Sequence, residues 1–194
     1  MTKIGVFDSG IGGEAVATAI ARALPELKIV LKDDKEHAPY GGKPPEELLD
    51  LVVPLLDQLV QEGCQVLVIA CNTVTTTIIE QLRTRYDVPL IGMEPMIKPA
   101  SELTKSRVIA VCATPATLRS RRYQWLKDKY SRGIKVLEPD CSQWATMIEA
   151  KQVNHQQITR QINAVCEQGA DVIVLGCTHY HWIHEDIMKI AKTR

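Results

Sequence analysis

The chain has 194 residues, 45% of them hydrophobic and 24% charged, with 23 basic side chains matched by 23 acidic ones. That length holds a full core in one large unit or two smaller ones. Zero net charge with no basic, aromatic-interleaved stripe gives no footing for nucleic acid or an anionic membrane. No apolar stretch reaches the roughly 18 residues of a membrane span. The N-terminal residues run straight into a strand with no room for a signal peptide. The six cysteines are dispersed without a CxxC pair, so free thiols and a cytoplasmic location are expected. With a single Phe, the core must be aliphatic.

Short Val- and Ile-rich runs predict strands over 3–7, 28–31, 65–70, 89–92, 107–112, 134–137 and 171–176. Longer periodic stretches predict helices over 13–23, 45–62, 74–86, 95–104, 115–130, 142–150, 155–168 and 181–191. The second helix shows the period plainly, with Leu48, Leu49, Val52, Val53, Leu55, Leu56, Leu59 and Val60 forming a wide apolar stripe. Pro45 suits its first turn, Gly63 its stop, and Pro54 inside it predicts a kink. Strand–helix alternation predicts parallel sheets covered on both faces. Two strands sit in matching contexts, after Glu62-Gly63-Cys64-Gln65 and Gln168-Gly169-Ala170-Asp171. The expected architecture is therefore α/β with two similar lobes, each a mostly parallel sheet flanked by helices. The boundaries expected are 1–93 for the first lobe, 94–180 for the second, and 181–194 for a C-terminal helix.

Strand tips carry the chemistry in such sheets. The first strand ends in Asp8-Ser9-Gly10-Ile11-Gly12-Gly13, a turn whose backbone amides suit an anion. Gly10-x-Gly12-x-x-Ala15, with Asp33-Asp34 after the next strand, also fits a dinucleotide fingerprint. Against that, Asp8 would face a pyrophosphate with like charge, whereas an amino acid offers its ammonium to Asp8 and its carboxylate to the amides.

Two other strands end in cysteine: Val66-Leu67-Val68-Ile69-Ala70-Cys71-Asn72-Thr73 and Val172-Ile173-Val174-Leu175-Gly176-Cys177-Thr178-His179. One strand-end cysteine reads most simply as packing. Two in the same context read as a pair of bases, which is what inversion at a carbon needs. Thiols suit the task because neighbours readily tune their pKa. His179 is placed to assist Cys177, and Asp8 to do the same from the other lobe.

Other groups have plainer readings. His179, His181 and His184 with Cys177 do not follow a zinc spacing. Cys112 and Arg119 miss the spacing of a phosphatase loop by one residue. Arg119, Arg121 and Arg122 read as a solvated helix face. Cys64, Cys141 and Cys166 read as packing residues, and Trp125, Trp144 and Trp182 as core or interface anchors.

Five ordered motifs resemble those of the glutamate racemases, within the aspartate/glutamate racemase superfamily. They are Asp8-Ser9-Gly10-Ile11-Gly12-Gly13, Pro39-Tyr40-Gly41, Ala70-Cys71-Asn72-Thr73, Ala113-Thr114-Pro115-Ala116-Thr117 and Gly176-Cys177-Thr178-His179-Tyr180. The resemblance spans residues 3 to about 188. It implies two pseudosymmetric lobes, a site in the cleft between them, and a cofactor-independent two-thiol mechanism with no metal. It also implies D-glutamate as product for peptidoglycan synthesis, and the expectation extends to a homodimer.

Carried over by position, Cys71 and Cys177 would be the bases. Asp8, Ser9, Tyr40, Gly41, Asn72, Thr73, Thr114, Thr117, Thr178 and His179 would be the binding residues. Asp34 and Glu149 align with acidic residues near that site. Aspartate is the close alternative substrate, and a non-catalytic ligand-binding relative the alternative of another class. The segment Lys32-Asp33-Asp34-Lys35-Glu36-His37 lacks the usual Gly-Asp-Thr, Glu14 replaces an apolar residue, and His181 replaces a proline. The family also continues beyond the position of Arg194 with a strand and helix that return to the first lobe. The resemblance leaves either a short natural member or a truncated one, and for a truncated one an uncovered first-sheet edge is expected.

Overall fold

The computed structural model describes residues 2–192. All seven predicted strands are present: β1 (Lys3–Asp8), β2 (Lys28–Asp33), β3 (Val66–Ile69), β4 (Leu90–Gly92), β5 (Val108–Ala113), β6 (Lys135–Leu137) and β7 (Val172–Gly176). They form two parallel sheets, ordered β2-β1-β3-β4 and β6-β5-β7. In each sheet the first strand in sequence is flanked by its two successors, so the order reverses there. Such a reversal separates the loops at the strand tips and opens a crevice.

The helices are α1 (Gly13–Ala23), α2 (Pro45–Gln61), α3 (Asn72–Arg85), α4 (Ile97–Leu103), α5 (Pro115–Arg119), α6 (Arg121–Tyr130), α7 (Trp144–Glu149), α8 (His155–Glu167) and α9 (His184–Lys192), with a 3-10 helix over Thr178–Ile183. Strand alternation gives each sheet two apolar faces. Phe7, Leu67 and Ile69 pack beneath α2 and α3 with Leu48, Val52, Leu56 and Leu59. Ile4, Val6 and Val68 face α1. In the second sheet Cys112 joins Trp144, Ile148, Ile158 and Tyr180 on one face, while Ile109 and Val111 join Tyr123 and Leu126 on the other. Each fully buried aliphatic side chain stabilises by about 1.5–3 kcal/mol, so the α2 stripe alone commits that helix to the sheet.

The matching sequence contexts become matching local structure. After α2, Gly63 (φ 83°) closes the helix with Gly63 N–H to Val60 O and Cys64 N–H to Leu59 O. After α8, Gly169 (φ 92°) does the same through Gly169 N–H to Cys166 O and Ala170 N–H to Val165 O. Both are Schellman stops, which need a left-handed residue. Each then feeds a strand that ends at a cysteine.

Three expectations need correction. The helix predicted over 115–130 breaks at Ser120 (ψ 145°), whose hydroxyl caps α6 by accepting from Tyr123 N–H. Ser is favoured at a cap, where its side chain takes a backbone donor that the helix leaves free. The helix predicted from 181 begins as a 3-10 turn at Thr178 and becomes α-helical only at His184. Of the three tryptophans only Trp144 is buried; Trp125 and Trp182 are 44% and 54% exposed. Trp125 instead lies between Arg122 and Lys129, whose charges stand 4.6 and 4.3 Å from its ring. α2 runs on past Pro54. Strand β4 is a sheet edge, and its Ile91 is 55% exposed.

Candidate active site

The tips of β1, β3, β5 and β7 face one another across the seam between the sheets, and the motif residues gather there. Asp8, the last residue of β1, is fully buried. It receives Thr178 Oγ1 from the other half at 3.0 Å on Oδ1 and 3.3 Å on Oδ2, and its own turn supplies Gly10 N–H at 3.2 Å. Burial raises its pKa from 3.8 to about 6, against the lowering effects of His179, Thr178 and the Gly10 and Ser9 amides.

Cys71 is the N-cap of α3 and is buried. Its Sγ lies 3.3 Å from Ser9 Oγ. Burial, then the charge of Asp8, pushes its thiol up to about 11, while Ser9 and the Val74 and Thr73 amides act the other way. Cys177 begins the 3-10 helix and is partly exposed. Burial, Cys71 and Asp8 all raise its thiol, opposed by the His179 and Tyr180 amides. Each sulfur thus stands at the start of a helical turn with two backbone amides favouring its thiolate. The two share Asp8 as a charged neighbour, and Cys71 acts on Cys177 directly.

His179 Nδ1 lies 3.7 Å from Cys177 Sγ, and its Nε2 lies 2.6 Å from Glu149 Oε1. That carboxylate oxygen also accepts Ile11 N–H at 3.0 Å, which ties the glycine turn of the first half to α7 of the second. With Nε2–H donated to Glu149, Nδ1 presents its lone pair to the thiol. Gly10 is required here, since a Cβ would stand 1.9 Å from Glu149 Oε1 and 2.8 Å from His179 Nε2. Gly12 lies as close to Thr178, 2.5 Å from where its Cβ would be. The second half therefore fills the space that a pyrophosphate would need over this turn, and the dinucleotide reading fails on sterics.

Hydroxyls line the other side of the seam. Thr73 Oγ1 is 2.9 Å from Thr114 Oγ1 and 3.4 Å from Thr117 Oγ1, and all three residues are buried. Thr114 caps α5 by accepting Thr117 N–H. Gly41 packs against Thr114, and its carbonyl accepts Ala116 N–H at 3.0 Å. Tyr40 shares a core cluster with Phe7 and Cys71. Asn72, Cys177 and Thr178 also border a cavity of about 410 Å³ whose other walls, including Val16, Ile20 and Met93, are mainly apolar.

All twelve motif residues thus fall in one region. Asp34 meets it twice: its Oδ2 accepts the Tyr40 hydroxyl at 2.5 Å, and its backbone N–H donates to Asp8 O at 3.3 Å. Glu149 lies in it against His179, and His181 and His184 border the cavity beside Cys177, whereas other candidates lie outside it. Cys64 and Cys141 are buried in the cores, and Arg122 pairs with Glu94 at 2.7 Å. Among the described residues no group of three His, Cys, Asp or Glu could hold a metal ion, and no helix is long and apolar enough to cross a membrane. Sequence reasoning missed His37 beside Asp34; the Asp-x-x-His spacing just before Pro39-Tyr40-Gly41 was the available signal.

Two parallel α/β sheets with acid, base and thiol groups at their facing strand tips define a protein built to move protons on a small ligand in a cleft. The sequence model of the Asp/Glu/Hydantoin racemase family matches residues 4–193, and the chain belongs to that family. It is 40% identical over 195 residues to the glutamate racemase of Ralstonia pickettii, an alignment covering 98% of this chain and 69% of that protein. Among solved structures, Escherichia coli glutamate racemase in complex with L-glutamate and the activator UDP-MurNAc-ala superposes with a TM-score of 0.87 at 29% identity, covering 97% of this chain and 74% of that one. The Francisella tularensis glutamate racemase in complex with D-glutamate gives 0.81 at 27% identity, covering 98% and 74%.

Proposed function

We propose that the protein is an amino-acid racemase that interconverts L- and D-glutamate, with Cys71 and Cys177 as opposed bases. The mirrored placement of the two thiols carries this reading. Each follows the equivalent strand of its own sheet, each starts a helical turn, and both feel Asp8. The relatives named for glutamate, and the similar structures holding L- and D-glutamate, support the substrate.

The chemistry follows from the groups present. An α-hydrogen is a very weak acid, so the site must stabilise the charge that develops when it leaves. Burial keeps both thiols protonated without ligand. A bound substrate ammonium beside Asp8 neutralises the local negative charge and so favours one thiolate. That thiolate takes the α-proton, the electron pair stays on the α-carbon and its carboxylate, and the opposite thiol delivers its proton to the other face. The two sulfurs end with their protonation exchanged. His179, oriented by Glu149, accepts or returns the Cys177 proton, while Ser9 and Asp8 serve Cys71. Substrate carboxylates meet the Thr73, Thr114 and Thr117 hydroxyls and backbone amides. The product, D-glutamate, serves cytoplasmic peptidoglycan synthesis.

The test is incubation with L-glutamate in D2O, following circular dichroism and α-proton exchange by NMR, with aspartate in parallel. Inversion with deuterium uptake on glutamate is expected. Cys71→Ser and Cys177→Ser should each lower the rate by about 10²–10⁴-fold, the usual contribution of a positioned acid or base. Binding of D-glutamate without exchange would point to a ligand-binding relative, and faster turnover of aspartate would reassign the substrate.

A further inference from the structure

The segment that departs most from the family motifs, Lys32 to His37, builds a hydrogen-bonded chain from the surface to the candidate site. His37, with a side chain 46% exposed, places Nδ1 2.8 Å from Asp34 Oδ1 and 3.0 Å from Oδ2. Its backbone N–H also points to Asp34 Oδ1 at 3.4 Å. Asp34 is 8% exposed, and its Oδ2 accepts the Tyr40 hydroxyl at 2.5 Å. Tyr40 is 1% exposed, and both Cys71 and Asp8 contribute to raising its phenol, after burial and Asp34. The adjoining Gly41 sits on Thr114 and binds Ala116 across the seam.

We infer that His37 is a positioning residue for the reaction proposed above, acting through Asp34 on Tyr40 and so on the Tyr40–Gly41 wall of the site. Asp34 must offer Oδ2 along one direction to hold the phenol. Without the imidazole Asp34 keeps the Tyr40 hydroxyl on Oδ2 and only the long backbone bond from residue 37 on Oδ1, whereas His37 Nδ1 spans both oxygens at closer range and fixes the carboxylate plane. Anchoring the loop itself does not require this contact. Lys35 already pins the segment through Asp33 at 3.0 Å and Glu14 at 3.1 Å. What His37 adds is therefore the orientation of Asp34 rather than the fold of the turn. The hydrogen bond described for the phenol goes to Asp34 and to neither sulfur, so its position bears on how substrate is held more than on the chemical step.

The experiment is steady-state kinetics on purified variants with secondary structure checked by circular dichroism. His37→Ala should raise KM for glutamate about 5–10-fold with kcat within about 2-fold, the pattern of lost uniform binding. His37→Asn, whose amide N–H can replace Nδ1–H, should return KM to within about 2-fold of wild type. Tyr40→Phe should raise KM similarly, and adding His37→Ala to it should change KM less than about 2-fold, because the two residues act in series. A wild-type KM in His37→Ala, a failure of His37→Asn to rescue, or effects that multiply in the double variant would each overturn the inference. Calorimetric affinity for D-glutamate, measured with each variant placed in a Cys177→Ser background that suppresses turnover, repeats the series. An inactive wild-type protein whose affinities still follow this pattern overturns the two-base reading alone, whereas normal turnover indifferent to His37 overturns the positioning role alone.

Discussion

Asp8 has no solvent contact, and burial outweighs the Thr178 hydroxyl, His179 and the Gly10 and Ser9 amides that favour its charge, leaving its pKa at about 6. The sign of its stability effect follows from linkage. Because the folded pKa lies above the unfolded one, the folded state holds a proton more tightly. Stability from this group is complete below about pH 4 and is lost as pH rises through 6. The burden on the folded protein at neutral pH is about 2–3 kcal/mol by the usual conversion. Asp8→Asn should therefore melt higher than wild type at pH 7.5, with the difference shrinking toward zero at pH 4. Thermal melts across that range check it, and a difference that grows on acidification would refute the assignment. Racemisation in the same variant should be lost, because the substrate ammonium has no countercharge. Stability and activity are opposed at this one carboxylate, which is how a functional residue departs from the packing rules around it.

At the scale of elements, the strands were the most legible part of the chain, since runs such as Val66–Ile69 and Val172–Gly176 are apolar on both faces and bounded by turns. Their tips were legible too: a cysteine followed by Asn72-Thr73 or Thr178-His179 cannot continue a buried strand and marks where it opens. Helix ends were less so. The break at Ser120 depends on its hydroxyl reaching Tyr123 N–H, and the 3-10 turn at Thr178 depends on Asp8 drawing Thr178 across the seam. The second bond joins residues 170 positions apart, and no local pattern encodes it. Gly10 illustrates the same limit, because local reading assigns it to a tight turn while its tightest constraint is Glu149 on α7. Gly10→Ala should displace Glu149 from His179 and from Ile11 N–H. Loss of those bonds and the clash predict about 1–3 kcal/mol of destabilisation in urea titration and a fall in kcat. A variant as stable and active as wild type would show that the turn yields without moving Glu149.

At the scale of the molecule, the apolar clusters stay on their own sides of the seam. Two lie wholly within residues 4–90 and one within 97–174. The fourth takes from the first half only a partly buried Ile11. Hydrogen bonds cross the seam instead: Thr178 to Asp8, Ile11 N–H to Glu149, Ala116 N–H to Gly41, and Thr73 with Thr114 and Thr117, beside the close contacts of Gly12 with Thr178 and Gly41 with Thr114. Net hydrogen-bond contributions are only about 0.5–1.5 kcal/mol each, far less than either core supplies. We propose that the chain divides near residue 93 into two units that unfold separately when no ligand is bound. A substrate held by Asp8 and Thr73 on one side and Thr114, Thr117 and Thr178 on the other binds only when both are folded and docked. Its binding energy then couples them, by about 2.7 kcal/mol at a hundredfold excess over Kd. Calorimetry should show two overlapping transitions without ligand and a single, higher one with saturating D-glutamate. Thr114→Val, which removes a hydroxyl from the seam and the cap from α5, should widen the separation without ligand and raise the concentration needed to merge the peaks. One sharp transition in the ligand-free protein, unchanged in that variant, would mean the two cores communicate more strongly than these bonds allow.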